Sequence, residues 1–204
     1  MKRFLAVICA VLLLGTSAAL AANSTKPTIG ITDFETVGEN PNARNMSNMV
    51  SEWLTTYIVQ SFRLNVVERQ KLARVLEELA LNQTGIINPE EAKKIGELSG
   101  AQALLMGSIF FVPDKDTLTV NCRLIDTATG SIKAATKSGE VLFSDSRQLE
   151  TSLKELAHRI IDYFPIEGYV VSVKGDALVL NIGRLQGVME NMRLLVYEPG
   201  DIIR

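Results

Sequence analysis

Two carboxylates, Asp33 and Glu35, stand at alternate positions at the end of a β-rich run, and an acidic-basic pair, Glu68-Arg69, stands where a second short β-rich run gives way to a helical pattern. Ligands of open α/β sheets bind outside the carboxyl ends of the strands. There Asp33 and Glu35 would suit a metal or a sugar, and Glu68-Arg69 a subunit interface or the mouth of a ligand site. These four residues are the candidate interface or ligand-mouth set. A competing reading is structural: Glu68 lies near the positive end of a helix, Arg69 finds a carboxylate on a neighbouring element, and the two strand-end acids are solvated turn residues.

The remaining reactive side chains are isolated. His158 is the single histidine, set between Leu156 and Ile160 on a helical pattern, and catalysis would require a nucleophile or partner beside it. No Gly-x-Ser-x-Gly elbow, phosphate loop, zinc helix motif or dinucleotide fingerprint accompanies it. No enzymatic activity, cofactor or metal is therefore expected, and His158 reads as a surface or boundary residue. Cys122 lies on a strand with one side toward a core, where a thiol packs as a small hydrophobe. Gly96, Gly100 and Gly107 are too dispersed for a phosphate cradle. Gly100 suits a left-handed helix cap, Gly107 a place where a helix crosses the sheet closely, and Gly130 the end of the turn from Asp126.

The elements that must position these residues follow from periodicity. Thr28 to Phe34 reads as a strand ended by the polar stretch Glu35 to Asn42. Met46, Met49, Val50, Trp53, Leu54, Tyr57, Ile58 and Phe62 recur at helical steps. Leu64 to Val67 is a short strand feeding a helix striped by Leu72, Val75, Leu76 and Leu79. A third helix has Asn88 as cap, Pro89 in its first position, Glu90 and Glu91 at its positive end, and Gly100 as its close. Gln102 to Val112, a turn at Pro113 to Asp116, and Thr117 to Ile125 make a hairpin. Ile132 to Phe143 is a further strand, and Leu149, Leu153, Leu156, Ile160 and Phe164 mark a closing helix. From Glu167 onward three short strands are expected, around Tyr169 to Val173, Ala177 to Ile182 and Met192 to Tyr197. They would form a partial barrel that must dock, oligomerise or continue. The fold class expected is α/β, a mixed sheet flanked by helices, followed by this small, incomplete β module.

The amino terminus carries its own signal. Met1, Lys2 and Arg3, an apolar run of about a dozen residues from Phe4, and Ala19-Leu20-Ala21 read as a secretory signal peptide cleaved after Ala21. The apolar run falls short of the roughly 18 to 20 residues of a spanning helix. Ala22, not cysteine, follows the cleavage point, so no lipid anchor is expected. Cleavage would also remove Cys9, leaving Cys122 without an intramolecular partner. The organisation expected is a signal peptide over 1–21, a polar leader over 22–27, an α/β domain over 28–165 and the β module over 166–204. Formal charge is −2 over 204 residues, with 47% apolar and 22% charged side chains. That composition excludes a disordered chain, and the lack of a basic cluster argues against nucleic acid as a partner.

Three stretches of the α/β domain go further. Val66-Val67-Glu68-Arg69-Gln70-Lys71-Leu72 with Leu76, Glu77 and Gly85 is one. Ala92, Ile95-Gly96, Gly100-Ala101 and Leu104 to Ser108 are the second. Arg123 to Thr127, Thr129-Gly130 and Ile132 are the third. Together they resemble the curli production assembly/transport (CsgG-like) family, whose periplasmic α/β unit is similar to the amino-terminal domain of TolB. Gly175-Asp176, Leu178 to Gly183, Gly187-Val188 and Met192-Arg193 resemble the small β module that ends flagellar assembly protein T. The CsgG-like resemblance implies an outer-membrane secretion channel whose subunits carry a lipidated cysteine and two long barrel hairpins. Here only Pro113 to Asp116 and Ser144 to Arg147 separate the relevant elements, which leaves no room for such hairpins. The expectation is an exported periplasmic protein, peripheral to the outer membrane, without a membrane-spanning segment. It would act in envelope assembly or secretion by contact with envelope proteins or with copies of itself. The alternative is a periplasmic small-ligand-binding domain.

Overall fold

Residues 26–38, 43–81 and 88–197 are described by the structure, a computed structural model of the chain. The signal segment and its cleavage point at Ala21, the polar leader up to residue 25, Gly85 and the last seven residues lie outside the described residues. In chain order the elements are Thr28–Ile31 (β1), Glu35–Val37 (β2), Ala43–Gln60 (α1), Asn65–Val66 (β3), Arg69–Glu78 (α2), Pro89–Ser99 (α3), Ala103–Val112 (β4), Thr117–Asp126 (β5), Ile132–Lys137 (β6), Val141–Leu142 (β7), Ser146–Ile161 (α4), Val170–Lys174 (β8) and Ala177–Leu180 (β9). The main sheet runs β3-β1-β4-β5-β6, with β2 on β4 and β7 on β5. β1 is parallel to β3 and β4, and β2 is parallel to β4, while β5 is antiparallel to β4, β6 and β7. This is the mixed α/β sheet that the hydrophobic pattern implies.

The chain reaches β3 from β1 through α1, and returns to β4, on the other side of β1, through α2 and α3. Helices consequently cover both faces. On one face Met46, Val50, Leu54 and Ile58 of α1 and Leu149, Leu153, Leu156 and Ile160 of α4 pack on Ile29, Leu105, Ile109, Leu118, Val120 and Cys122. On the other, Leu72, Val75 and Leu76 of α2 and Ala92 and Ile95 of α3 pack on Leu104, Met106 and Ile125. β5 divides its side chains between the two faces: Leu118, Val120, Cys122 and Leu124 are buried, while the intervening Thr119, Asn121 and Arg123 are not.

Helix α3 is fixed at both ends by local chemistry. The Asn88 side chain accepts from the Glu91 amide at 2.9 Å and Glu91 accepts from the Asn88 amide at 2.9 Å, so each residue caps the other. Such a cap is worth about 1 kcal/mol. Gly100 closes the helix at φ 79° with its amide on the Gly96 carbonyl.

Three expectations need correction. The first strand does not run unbroken to Phe34. Ile31 pairs with Leu105 and Glu35 with Ser108, four residues against three, so the chain breaks at Thr32 to Phe34. Pairing then resumes as β2, in residues expected to be turn. The long strand expected over Ile132 to Phe143 is two strands. Between them Ser138 turns its hydroxyl onto the Val120 amide at 2.9 Å and its amide onto the Val120 carbonyl at 2.8 Å, using up the partners of a continuing ladder. The β module has two strands among the described residues, not three. β8 and β9 pair as a hairpin, while 192–197 takes no strand conformation.

Candidate functional site

Asp33 lies just past the end of β1 and Arg69 opens α2, so both sit at the carboxyl ends of two adjacent parallel strands, β1 and β3. Arg69 Nη2 donates to Asp33 Oδ1 at 2.5 Å and to Asn48 Oδ1 at 2.7 Å, and Nη1 to Glu52 Oε1 at 3.3 Å. Asn48 and Glu52 are one turn apart on α1, which places both on one side of that helix. The guanidinium therefore joins the helix on one face of the sheet, the strand end and the helix on the other face. Beneath it, Thr32 sends its amide to the Leu105 carbonyl at 3.0 Å, and its own carbonyl lies 3.4 Å from the Ser51 hydroxyl. The break after Ile31 is what turns Asp33 toward Arg69.

Of the four residues singled out from the sequence, the fold brings Asp33 and Arg69 together. Glu35 lies exposed on β2. Glu68 occupies the N-cap position of α2 without a side-chain capping bond. Asn48 and Glu52 were not anticipated. Their only sequence signal is the four-residue spacing, which any exposed helix face shares. An exposed ion pair contributes roughly 0 to 1 kcal/mol, and Arg69 is 41% exposed. The network is best understood as a clip between layers, and its three acceptors occupy the guanidinium fork.

His158 is exposed on α4. Cys122 is buried, and desolvation pushes its thiol up to about 12, with the Arg159 charge opposing in part. A thiol held protonated is a poor nucleophile. Among the described residues no group of three or more histidine, cysteine, aspartate or glutamate side chains is arranged to hold a metal ion.

The glycines are explained by close approach. A Cβ on Gly96 would run into the Thr127 side chain. One on Gly130, which sits at φ 68°, would strike Pro89 at the start of α3. Gly107 departs from expectation: its crowding comes from the Phe34 ring and the Asn121 carbonyl, not from a crossing helix. The turn ending at Gly130 is built by Asp126, whose Oδ1 accepts from the Ala128 and Thr129 amides at 2.9 and 3.0 Å. The Thr129 amide above all holds that carboxyl below its ordinary value. Thr127 then donates to the Ala101 carbonyl at 2.8 Å. The second and third sequence motifs thus form one joint, between α3 and the β5–β6 turn, and the first forms the Arg69 clip.

Among the described residues, two apolar surfaces remain uncovered. Helices α2 and α3 cover their face of the sheet only as far as Met106. Beyond it Phe110 (44% exposed) pairs with Val37, and Val112 lies in one cross-strand row with Thr117 and Leu142, all on the uncovered side. The β8–β9 hairpin places Val170, Val173, Leu178 and Leu180 on one face through the pairs Val170 with Leu180 and Val173 with Leu178, and Val173 is 67% exposed. A shallow groove of about 470 Å³ between β7 and the start of α4, lined among others by Asp145, Arg147, Thr151 and Glu155, shares no residue with the Arg69 network.

Among the described residues no helix is long and apolar enough to cross a membrane. No curated protein matches the sequence. Similar solved structures include the LpoB C-terminal domain from Escherichia coli, with 20% identity over 60% of this chain and 88% of that one at a TM-score of 0.44. Lipoprotein GNA1162 from Neisseria meningitidis has 13% identity over 65% and 95% at 0.48. TolB from Acinetobacter baumannii has 15% identity over 68% and 27% at 0.41. The family model described as "Curli production assembly/transport component CsgG" matches residues 15–111, which include the Arg69 and Gly100 motifs and stop short of the Asp126 turn. Over that stretch the chain is similar to the CsgG family.

Proposed function

We propose that this chain is an exported periplasmic protein that works in envelope-associated assembly or secretion through protein contacts, without pore-forming hairpins and without catalysis. The observation that carries the reading is the pair of uncovered apolar surfaces, one on the distal sheet around Val37, Phe110, Val112 and Leu142 and one on the β8–β9 hairpin. Exposed apolar patches of this kind mark sites of association, and a two-stranded hairpin is marginal until it gains further contacts. The CsgG-like match supports an envelope setting, and the amino-terminal sequence supports export. Joining the long strands of the β4–β5 hairpin through the short turn Pro113–Lys115 supports a subunit with no additional barrel strands at that point.

Fractionation of the native host after chemical crosslinking tests this reading. The expected result is a chain shortened by the signal segment, in the periplasmic or peripheral envelope fraction, within a discrete crosslinked complex. Retention in the cytoplasm, or extraction only as an integral membrane species, would contradict it.

A further inference from the structure

Among the described residues, the β module touches the α/β unit at the turn that follows α1. Neither β8 nor β9 packs extensively on any helix or strand of that unit. Within the module Gly187 is buried amid largely exposed neighbours. At φ 87°, it lies against the end of α1, where an added Cβ would stand 2.5 Å from Arg63 Cγ and 3.3 Å from the Ser61 carbonyl oxygen. Arg63 in turn holds the end of α4, donating from Nη2 to the Phe164 carbonyl at 2.5 Å and from Nη1 to Asp162 Oδ1 at 3.3 Å. Its cation thus sits at the carboxyl ends of two helices, where their dipoles favour it.

The same turn concentrates unfavourable features. Arg63 Nε is buried without a hydrogen-bond partner, and Phe62, a bulky residue, takes φ 58°. An orphaned buried donor and a left-handed phenylalanine each weigh against this turn's conformation. Asp162, the acceptor of the ion pair, is 75% exposed, so salt and water compete for the contact that holds Arg63 against the end of α4.

We infer that Ser61 to Arg63 and Gly187 form a releasable clasp, which holds the β module in one orientation and lets it swing away while the α/β unit stays folded. The module is an arm whose exposed apolar hairpin is delivered in two positions, and Arg63 is the positioning residue.

Spin labels on Lys174→Cys in the hairpin and Lys94→Cys on α3 of the full chain, read by pulsed electron resonance, test this directly. Unmodified at the clasp, the chain is expected to give one dominant distance with an open population of at most about a tenth. Arg63→Ala and Gly187→Ala are each expected to broaden the distribution so that the open population dominates. The near-ultraviolet signal of Trp53 and the main melting transition should stay within a few degrees. If Arg63→Ala fails to fold, Gly187→Ala decides. A broad distribution before any substitution, an unchanged narrow one after Gly187→Ala, or loss of the whole fold with the arm would each overturn the clasp.

Discussion

Arg69 lies against Asp33 at 2.5 Å, across the carboxyl end of β1, and the same guanidinium reaches Asn48 and Glu52 on the opposite helical layer. Because this clip is partly exposed, Arg69→Ala is expected to cost about 1 kcal/mol or less in urea unfolding, with the difference shrinking in high salt. A loss several times larger would show that the network is a desolvated keystone.

The ligand alternative makes a separate demand on the same residues. With its fork occupied by three acceptors, the Arg69 network is expected to leave the melting temperature unchanged in a screen of metals, nucleotides and cell-wall fragments. A saturable rise, abolished by Asp33→Ala, would reverse that expectation in favour of a ligand site.

Gly130 and Gly100 both sit at positive φ, but their surroundings differ. A Cβ on Gly130 enters Pro89, whereas one on Gly100 meets nothing within 4 Å. Gly100→Ala is expected to cost about 1 kcal/mol from backbone strain alone, and Gly130→Ala clearly more, roughly 2 kcal/mol or above, since the α3 joint must also shift. Equal losses for the two would remove the argument from close packing.

These glycines show what the sequence made legible and what it did not. The cap at Gly100, with Asn88 and Pro89 at the other end of α3, follows from residue type because each end is satisfied within a few residues. The crowding at Gly107 depends on Phe34, more than seventy positions away, and on a register slip that no local pattern records. The hydrophobic steps of α1, α2 and α4 disclosed the layers, but the interruptions at Thr32 to Phe34 and at Ser138 came from side chains competing for ladder partners. At the site, Arg69 was visible as a pair with Glu68, yet its partners are Asp33, Asn48 and Glu52. Side-chain convergence is a property of the fold, and exposed polar residues on a helix announce no partner in advance. Arg63 escaped notice for the same reason.

Burial of Cys122 predicts a pH dependence of stability with a definite sign. The thiol ionises near its ordinary value of 9.0 in the unfolded chain but only at about 12 when folded. Above pH 9 the unfolded state therefore binds fewer protons, and stability falls as pH rises through that window, by up to about 1.4 kcal/mol per pH unit. Cys122→Ala should flatten that part of the profile, measured by urea unfolding between pH 8 and 10.5. The folded protein should also resist thiol reagents at pH 8 until denaturant is added. Rapid modification of the native protein would contradict the burial.

The claim that this protein works through its bare apolar surfaces is tested most directly by a photocrosslinking residue placed at Phe110 in the native host, with the same residue at Lys93 on α3 as the control. Phe110→Ser should leave stability within about 0.5 kcal/mol, as exposed substitutions do, so position 110 can be altered without loss of the fold. The account predicts a discrete protein adduct from position 110 and none from position 93. Loss of that adduct is also predicted when the neighbouring Val112 and Leu142 are both changed to Asp. No adduct at 110, or equal adducts at both positions, would contradict it.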